Sequence, residues 1–227
     1  MIDVIRTSAS RPDLLQASLE PFKKFVKYSG RLRVLFHEDV LNKEASKECI
    51  RIAKENFDEV FMHNPPINQG PSIDFLLRRT ATDYVFNIED DWEVIKEIDL
   101  DLMVKIMEEN SDVNQIAFHK REIASERHGW KKKEVEKSGV CLTTNPHWAF
   151  TPALWRRNFI MKFWRTPPRN LNPVWFINPL VKRGKKMPSA DWMILNVGSY
   201  FLGRIGTHAY VKHLGFQNSV REGERKF

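Results

Sequence analysis

The sequence predicts an α/β domain with a mainly parallel sheet, and three observations predict it. Short apolar strands alternate with amphipathic helices through the first 92 residues. The segments between those strands have the length of crossover helices, which parallel neighbours require. Finally, 227 residues suffice for one well-buried core, and neither an internal repeat nor a linker divides them.

Asp3–Thr7 is the first strand, and Ser10-Arg11-Pro12-Asp13 resembles a helix start with a capping box and an early proline. Leu15, Leu19, Phe22 and Val26 then mark one face of an amphipathic helix. Leu32–His37 is a second strand, Lys43–Asn56 a second helix with Cys49, Ile52 and Ala53 facing inward, and Glu59–His63 a third strand. After the breaker Asn64-Pro65-Pro66, Ser72 is placed to cap a helix through Ala81, and Tyr84–Ile88 is a fourth strand. Leu102, Met103, Ile106 and Met107 make another helical stripe, and Gln115–Phe118 a fifth strand. Beyond it the pattern predicts irregular structure beside the sheet, a helix near Pro152–Phe163, another over Asp191–Ser199, and a loose polar tail at residues 217–227.

Charge divides the chain. The net charge is +7, yet no Asp or Glu occurs from Lys137 to Ala190, a stretch that carries ten Lys and Arg together with Trp148, Trp155, Trp164 and Trp175. Basic runs are most often solvated surface, but these also suit an anionic ligand or an acidic lipid surface. The two cysteines, Cys49 and Cys141, have no metal or disulfide spacing, no apolar run approaches a membrane span, and the opening segment reads as a strand rather than a secretory leader. A cytoplasmic setting is the expectation.

The turn after the first strand, Thr7-Ser8-Ala9-Ser10-Arg11-Pro12, contains no glycine, and the first glycine of the chain is Gly30. A dinucleotide-binding turn is thereby excluded, and Gly184-Lys185-Lys186 lacks the rest of a P-loop. The chemical signal lies instead at the end of the fourth strand, where Glu89, Asp90 and Asp91 follow one another. Open α/β sheets bind ligands at such strand ends. Three adjacent carboxylates repel one another unless a cation compensates, and Mg²⁺ or Mn²⁺ does so while leaving positions for a diphosphate. The alternative is a solvated acidic face, since Glu93, Glu97, Asp99 and Asp101 continue the run.

An α/β chain with no glycine loop and an acidic triplet at a strand end resembles the GT-A fold nucleotide-sugar glycosyltransferases. Glu89-Asp90-Asp91 is similar to the E-D-D variant of their D-x-D motif, seen in some N-acetylglucosaminyltransferases. The resemblance implies one GT-A domain over 1–227, with residues 1–92 binding nucleotide-sugar and metal and 93–216 shaping the acceptor site. It implies donor contacts from Thr7, Ser8, Arg11, Asp39, Glu89 and Asp90, and a Mn²⁺ or Mg²⁺ ion on Asp91. His213 of His213-Leu214-Gly215 resembles the histidine that completes the metal site, with His208 as its competitor. Ala190-Asp191-Trp192 resembles the motif whose Asp is the catalytic base of inverting members, although Ala190 replaces an acid often found there. The family's Arg-Asn pair before the acidic strand is missing; Ser72-Ile73-Asp74 stands near its place, and Arg78 or Arg79 is the candidate to supply the charge. Trp148 and Trp192 are either packing residues or an aromatic platform for the acceptor.

Function follows from the resemblance: inverting, metal-dependent transfer from a UDP- or GDP-sugar to a hydroxyl of a glycan or other acceptor, anionic ones included. Peripheral membrane contact is compatible with it, and a nucleic-acid partner is not expected. The competing readings are a basic nucleic-acid-binding protein, a sugar-binding relative without turnover, and a nucleotidyltransferase. Of these, the first leaves the acidic strand end unexplained.

Overall fold

A computed structural model describes residues 1–127, 130–145, 148–163 and 197–217. Its elements in chain order are β1 (Ile2–Ser8), α1 (Pro12–Phe25), β2 (Leu32–Asp39), α2 (Lys43–Asn56), β3 (Glu59–His63), α3 (Gln69–Leu77), β4 (Tyr84–Asn87) and β5 (Trp92–Val94). There follow α4 (Leu100–Glu109), β6 (Gln115–Ala117), β7 (Glu134–Lys137), β8 (Val140–Asn145), β9 (Ala153–Arg156), α5 (Arg157–Phe163), β10 (Ser199–Leu202) and β11 (Val211–His213).

Nine strands form one sheet in the order β7-β8-β10-β6-β9-β4-β1-β2-β3. β4, β1, β2 and β3 are mutually parallel, and β10 is parallel to β6, while β8 and β9 run against their neighbours. Successive residues of a strand point to opposite faces. Val4, Val34 and Phe86 therefore pack with Phe22 of α1 and Met103 and Ile106 of α4, whereas Ile5, Leu35 and Val85 pack with Ile73 and Leu76 of α3 and Ile160 of α5. A third cluster, around Phe36, Cys49 and Leu19, seals α1 against α2. Among the described residues no helix is long and apolar enough to cross a membrane.

The parallel half follows the local pattern closely; α2 and β3 have the predicted bounds. Its helix starts differ. Arg11, not Ser10, is the N-cap of α1 and makes no side-chain cap bond, with Pro12 opening the helix. α3 begins at Gln69, so Ser72 lies inside it and donates to the Asn68 carbonyl at 2.8 Å. The larger corrections fall later. The predicted helix at Pro152–Phe163 is a strand, β9, followed directly by α5. β9 is inserted between β4 and β6, with Trp155 fully buried. Val140–Asn145 is also a strand of the main sheet rather than irregular structure. Ser199, placed at the end of a helix, opens β10; residues 191–196 of that predicted helix, and 218–227 of the predicted tail, lie outside the described residues.

Candidate donor and metal site

The parallel strands β1, β2 and β4 bring Ser8, Asp39 and the Glu89-Asp90-Asp91 triplet to one edge of the sheet. The Asp90 amide continues the β1–β4 ladder by donating to the Thr7 carbonyl at 3.1 Å, which sets the triplet beside the β1–α1 turn. From that turn Arg11 reaches across. Its Nε donates to Asp90 Oδ2 at 3.1 Å, its Nη2 pairs with Asp90 Oδ1, and its Nη1 donates to Asp91 Oδ2 at 2.8 Å. Asp90 and Asp91 are 0% and 4% exposed, so this is a buried ion-pair cluster and not a solvated acidic face.

The far side of Asp91 is closed by the C-terminal part of the chain. β11 pairs antiparallel with β5 in register His213↔Trp92, and the two rings meet edge to face with centroids 4.6 Å apart. That pairing puts His213 Nε2 at 3.4 Å from Asp91 Oδ2. The Leu214 amide donates to the Asp91 carbonyl at 2.7 Å, and a Cβ on Gly215 would stand 2.7 Å from Asp91 Oδ2. A side chain at 215 would therefore press on the carboxylate and displace it. His208, by contrast, uses its carbonyl to accept a bond from Lys96.

Burial and the neighbouring Asp91 and Asp90 push the Glu89 carboxyl up to about 8, against the pull of Arg11. Asp90 is pushed up to about 7 by burial, with Arg11 opposing. Burial disfavours the charge of Arg11, but Asp90, Asp91 and Glu89 outweigh it and hold the guanidinium pKa above its usual value. Beneath them lies Arg6 of β1, fully buried between Phe22 and Phe57 and bonded to Ser18 Oγ at 2.6 Å; burial lowers its pKa to about 10 despite Asp90 and Asp91. His213 is lowered by burial, with Asp91 opposing.

A second network fixes the turn that carries Arg11. Glu38, buried at the end of β2, accepts from the Ser10 amide at 2.7 Å and from Ser46 Oγ at 2.6 Å. Ser10 sits in the left-handed region (φ 58°) and its Oγ accepts from the Leu41 and Asn42 amides at 2.9 and 2.8 Å. Ser10 is thus a junction between two loops rather than a helix cap. The Ser8 hydroxyl lies 3.8 Å from Cys49 Sγ, a thiol that burial pushes up to about 12.

Not every candidate residue reaches the site. Thr7 and Ser8 lie at its floor, both nearly buried. Asp39 is at the right edge, but its Oδ1 accepts from the Ile67 amide at 3.0 Å and its Oδ2 from Ser72 Oγ at 3.3 Å, so it ties down the loop before α3. Arg78 is misplaced. It ends α3 at the opposite edge of the sheet, bonded to Asp74 at 3.0 Å, and its neighbour Arg79 accepts from Arg33 near the start of β2. Seven-residue β1 separates the two edges by roughly 20 Å, beyond the reach of any side chain there. Trp148 is 4% exposed and stacked on Phe159 with centroids 5.6 Å apart, so its ring is a packing element. Asp191 and Trp192 lie outside the described residues.

Sequence reasoning overlooked Arg6, Glu38, Ser46 and Gln69, whose amide bonds Glu89. It also overlooked Lys120, which follows β6 and holds its ammonium 5.6 Å from the Trp92 ring centroid. A usable signal existed for Glu38: it immediately precedes Asp39 at a strand end, the same placement that drew attention to Asp90 and Asp91.

Asp91 Oδ1 is buried and accepts no hydrogen bond. Among the described residues no three His, Cys, Asp or Glu side chains are grouped to hold an ion by themselves. Asp91 and His213 therefore suit an ion such as Mg²⁺ or Mn²⁺ that takes one or two protein ligands and completes its shell with water and substrate phosphate.

No protein-family profile and no curated protein matches the sequence. The fold, in contrast, is similar to solved structures. The Pyrobaculum calidifontis mannosyltransferase PcManGT, in complex with GDP-Man and Mn²⁺, aligns over 88% of this chain and 56% of its own, with a TM-score of 0.58 and 12% identity. S. aureus TarS 1-349 in complex with UDP aligns over 93% of this chain and 59% of its own, at TM-score 0.58 and 12% identity. Mouse xyloside xylosyltransferase 1 in its apo form aligns over 97% of this chain and all of its own, at TM-score 0.50 and 9% identity. The chain spans little more than half the length of the first two. At these identities the likeness is one of fold: a GT-A-like α/β domain with a large, mainly parallel sheet.

Proposed function

We propose that this chain is a glycosyltransferase that moves a sugar from a nucleoside-diphosphate sugar to an acceptor hydroxyl. The observation that carries the proposal is the meeting of Arg11, Asp91 and His213 at the C-terminal edge of the parallel strands, with one buried Asp91 oxygen left without a donor. The E-D-D triplet, the GT-A-like fold and the GDP-Man, UDP and Mn²⁺ complexes of structurally similar proteins support the same reading.

In this proposal residues 1–92 bind the donor and 93–216 the acceptor. Thr7, Ser8 and Arg11 line the nucleotide and diphosphate, with Asp39 shaping the loop that bounds the base. Glu89 and Asp90 hold Gln69 and Arg11 in place. Asp91 and His213 hold Mn²⁺ or Mg²⁺, which when bound offsets the charge of the departing diphosphate. Asp191 takes the proton of the acceptor hydroxyl as its oxygen attacks the anomeric carbon and the bond to the diphosphate breaks. One direct displacement inverts the anomeric centre. The basic stretch from Lys137 to Ala190 favours an anionic acceptor or an acidic lipid surface, in a cytoplasmic setting.

Thermal-shift titration with UDP, GDP and CMP, each with and without Mn²⁺ and alongside a single-stranded oligonucleotide, tests the donor class. Stabilisation by UDP or GDP that needs Mn²⁺ is the expected result. Stabilisation by the oligonucleotide alone contradicts the proposal.

A further inference from the structure

A guanidinium already occupies part of the acidic pair. Arg11 is held to Asp90 by two donors, Nε and Nη2, and to Asp91 by Nη1 alone. His213 Nε2 shares that same oxygen, Asp91 Oδ2, at 3.4 Å. Arg6, buried and bonded to Ser18 Oγ, adds a second positive charge that Asp90 and Asp91 feel, while Glu89 bonds Gln69.

A divalent ion entering alone between Asp91 and His213 would stand beside the Arg11 charge, which is bonded to the same Asp91 oxygen that His213 meets. At contact distance with little water between, such repulsion is strong. A nucleoside diphosphate changes the balance, because its oxygens accept a guanidinium donor as well as a carboxylate does. Arg11 need not leave Asp90 to reach it, since only the Nη1 bond to Asp91 has to change partner.

We infer that Arg11 is a resident counter-ion of Asp91 that gives up that oxygen only when a diphosphate is present to receive it, so that metal and nucleotide bind as a coupled pair. The inference rests on the donor reading above for the nucleotide, but its counter-ion half stands on the ion pair alone. Coupling of this kind is reciprocal: the nucleotide raises metal affinity by the factor by which metal raises nucleotide affinity.

Calorimetric titration of Mn²⁺ into the parent chain and into Arg11→Gln, without nucleotide and with saturating UDP or GDP, tests it. For the parent, either nucleotide should tighten Mn²⁺ on the order of 10-fold. For Arg11→Gln, Mn²⁺ alone should bind on the order of 10-fold more tightly than to the parent, while the nucleotide enhancement shrinks. These opposite signs distinguish a counter-ion from a mere scaffold, whose loss weakens both. Arg11→Lys keeps one charge without the fork and should fall between; it carries the test if Arg11→Gln does not fold by circular dichroism. Equal or weaker Mn²⁺ binding by the folded variants overturns the inference, and leaves the donor reading intact if the parent still binds UDP or GDP with Mn²⁺. Tighter Mn²⁺ binding by Arg11→Gln, in a parent that binds neither nucleotide, supports the counter-ion and removes the donor reading.

Discussion

Two buried carboxylates stand at opposite ends of the same parallel strands; in each, Oδ1 accepts no hydrogen bond, and they differ in which oxygen their cations meet. Asp3, at the start of β1, has a fully buried side chain, and its Oδ1, although it accepts no hydrogen bond, is ion-paired. Its Oδ2 accepts from the Ala81 amide at 2.6 Å and from the Thr82 amide and hydroxyl at 3.0 Å, and its Oδ1 lies 2.7 Å from Arg33 Nε. Asp91, past the end of β4, shares Oδ2 between Arg11 and His213 and keeps Oδ1 buried without a donor. A buried carboxylate whose open oxygen already meets a cation fastens a fold; one whose open oxygen does not costs stability and suits a site that a ligand completes.

Altering the reacting end should have the largest effect. If Asp191 is the base, Asp191→Asn should lower sugar transfer by ~10²–10⁴-fold while UDP or GDP binding with Mn²⁺ stays at the parent level. Near-normal turnover, or retention of configuration in the product, would remove Asp191 from that role. At the other end, Asp3→Ala leaves two amides and Arg33 without their acceptor. It should cost about 3 kcal/mol of stability, read as a midpoint loss of roughly 6–12 °C, with nucleotide binding of the folded fraction unchanged. A smaller effect sharpens the contrast within the site itself. Gly215→Ala should leave the unfolding free energy within about 1 kcal/mol of the parent yet weaken Mn²⁺-dependent nucleotide binding several-fold, because its Cβ meets Asp91 Oδ2. Unchanged binding would mean that the carboxylate position does not matter.

The pH response separates His37 of β2 from the acidic pair. His37, buried against His63 and Phe75, has its pKa lowered to about 3 by burial, His63 and Arg79. The unfolded chain takes up this proton near pH 6.5 and the folded chain only near 3, so the group makes stability fall as pH falls through that window, by up to about 1.4 kcal/mol per pH unit. Glu89 and Asp90, raised in the folded chain, act with the opposite sign between their ordinary range and about 8 and 7. His37→Phe should therefore flatten the acid limb of the stability profile relative to the parent. Parallel acid limbs would show that His37 is protonated in the fold.

Legibility in the sequence follows the same division of the molecule. In the parallel half, strand and helix periods are local, and α2 and β3 emerge with their observed bounds. β9 is different: Ala153-Leu154-Trp155-Arg156 is buried between two neighbours and runs straight into α5, so its apolar run has no alternation to set it apart from a helix. The acidic triplet was legible because its residues adjoin one another. Its pairing with Arg11, 79 and 80 positions away, was not, since it depends on β1 lying beside β4. Arg78 was assigned to the donor by its nearness in sequence to the acidic strand. The direction of α3 defeats that assignment, carrying its C-terminal end away from the site.

The central claim is that Asp91 is the carboxylate held open for a cation and nucleotide. Calorimetry of UDP and GDP binding in Mn²⁺, on the parent, Asp91→Asn and Asp3→Asn under conditions where all three are folded, tests it most directly. The account predicts Mn²⁺-dependent binding in the parent and in Asp3→Asn, and its loss in Asp91→Asn. Binding by Asp91→Asn with the parent's Mn²⁺ dependence would contradict it.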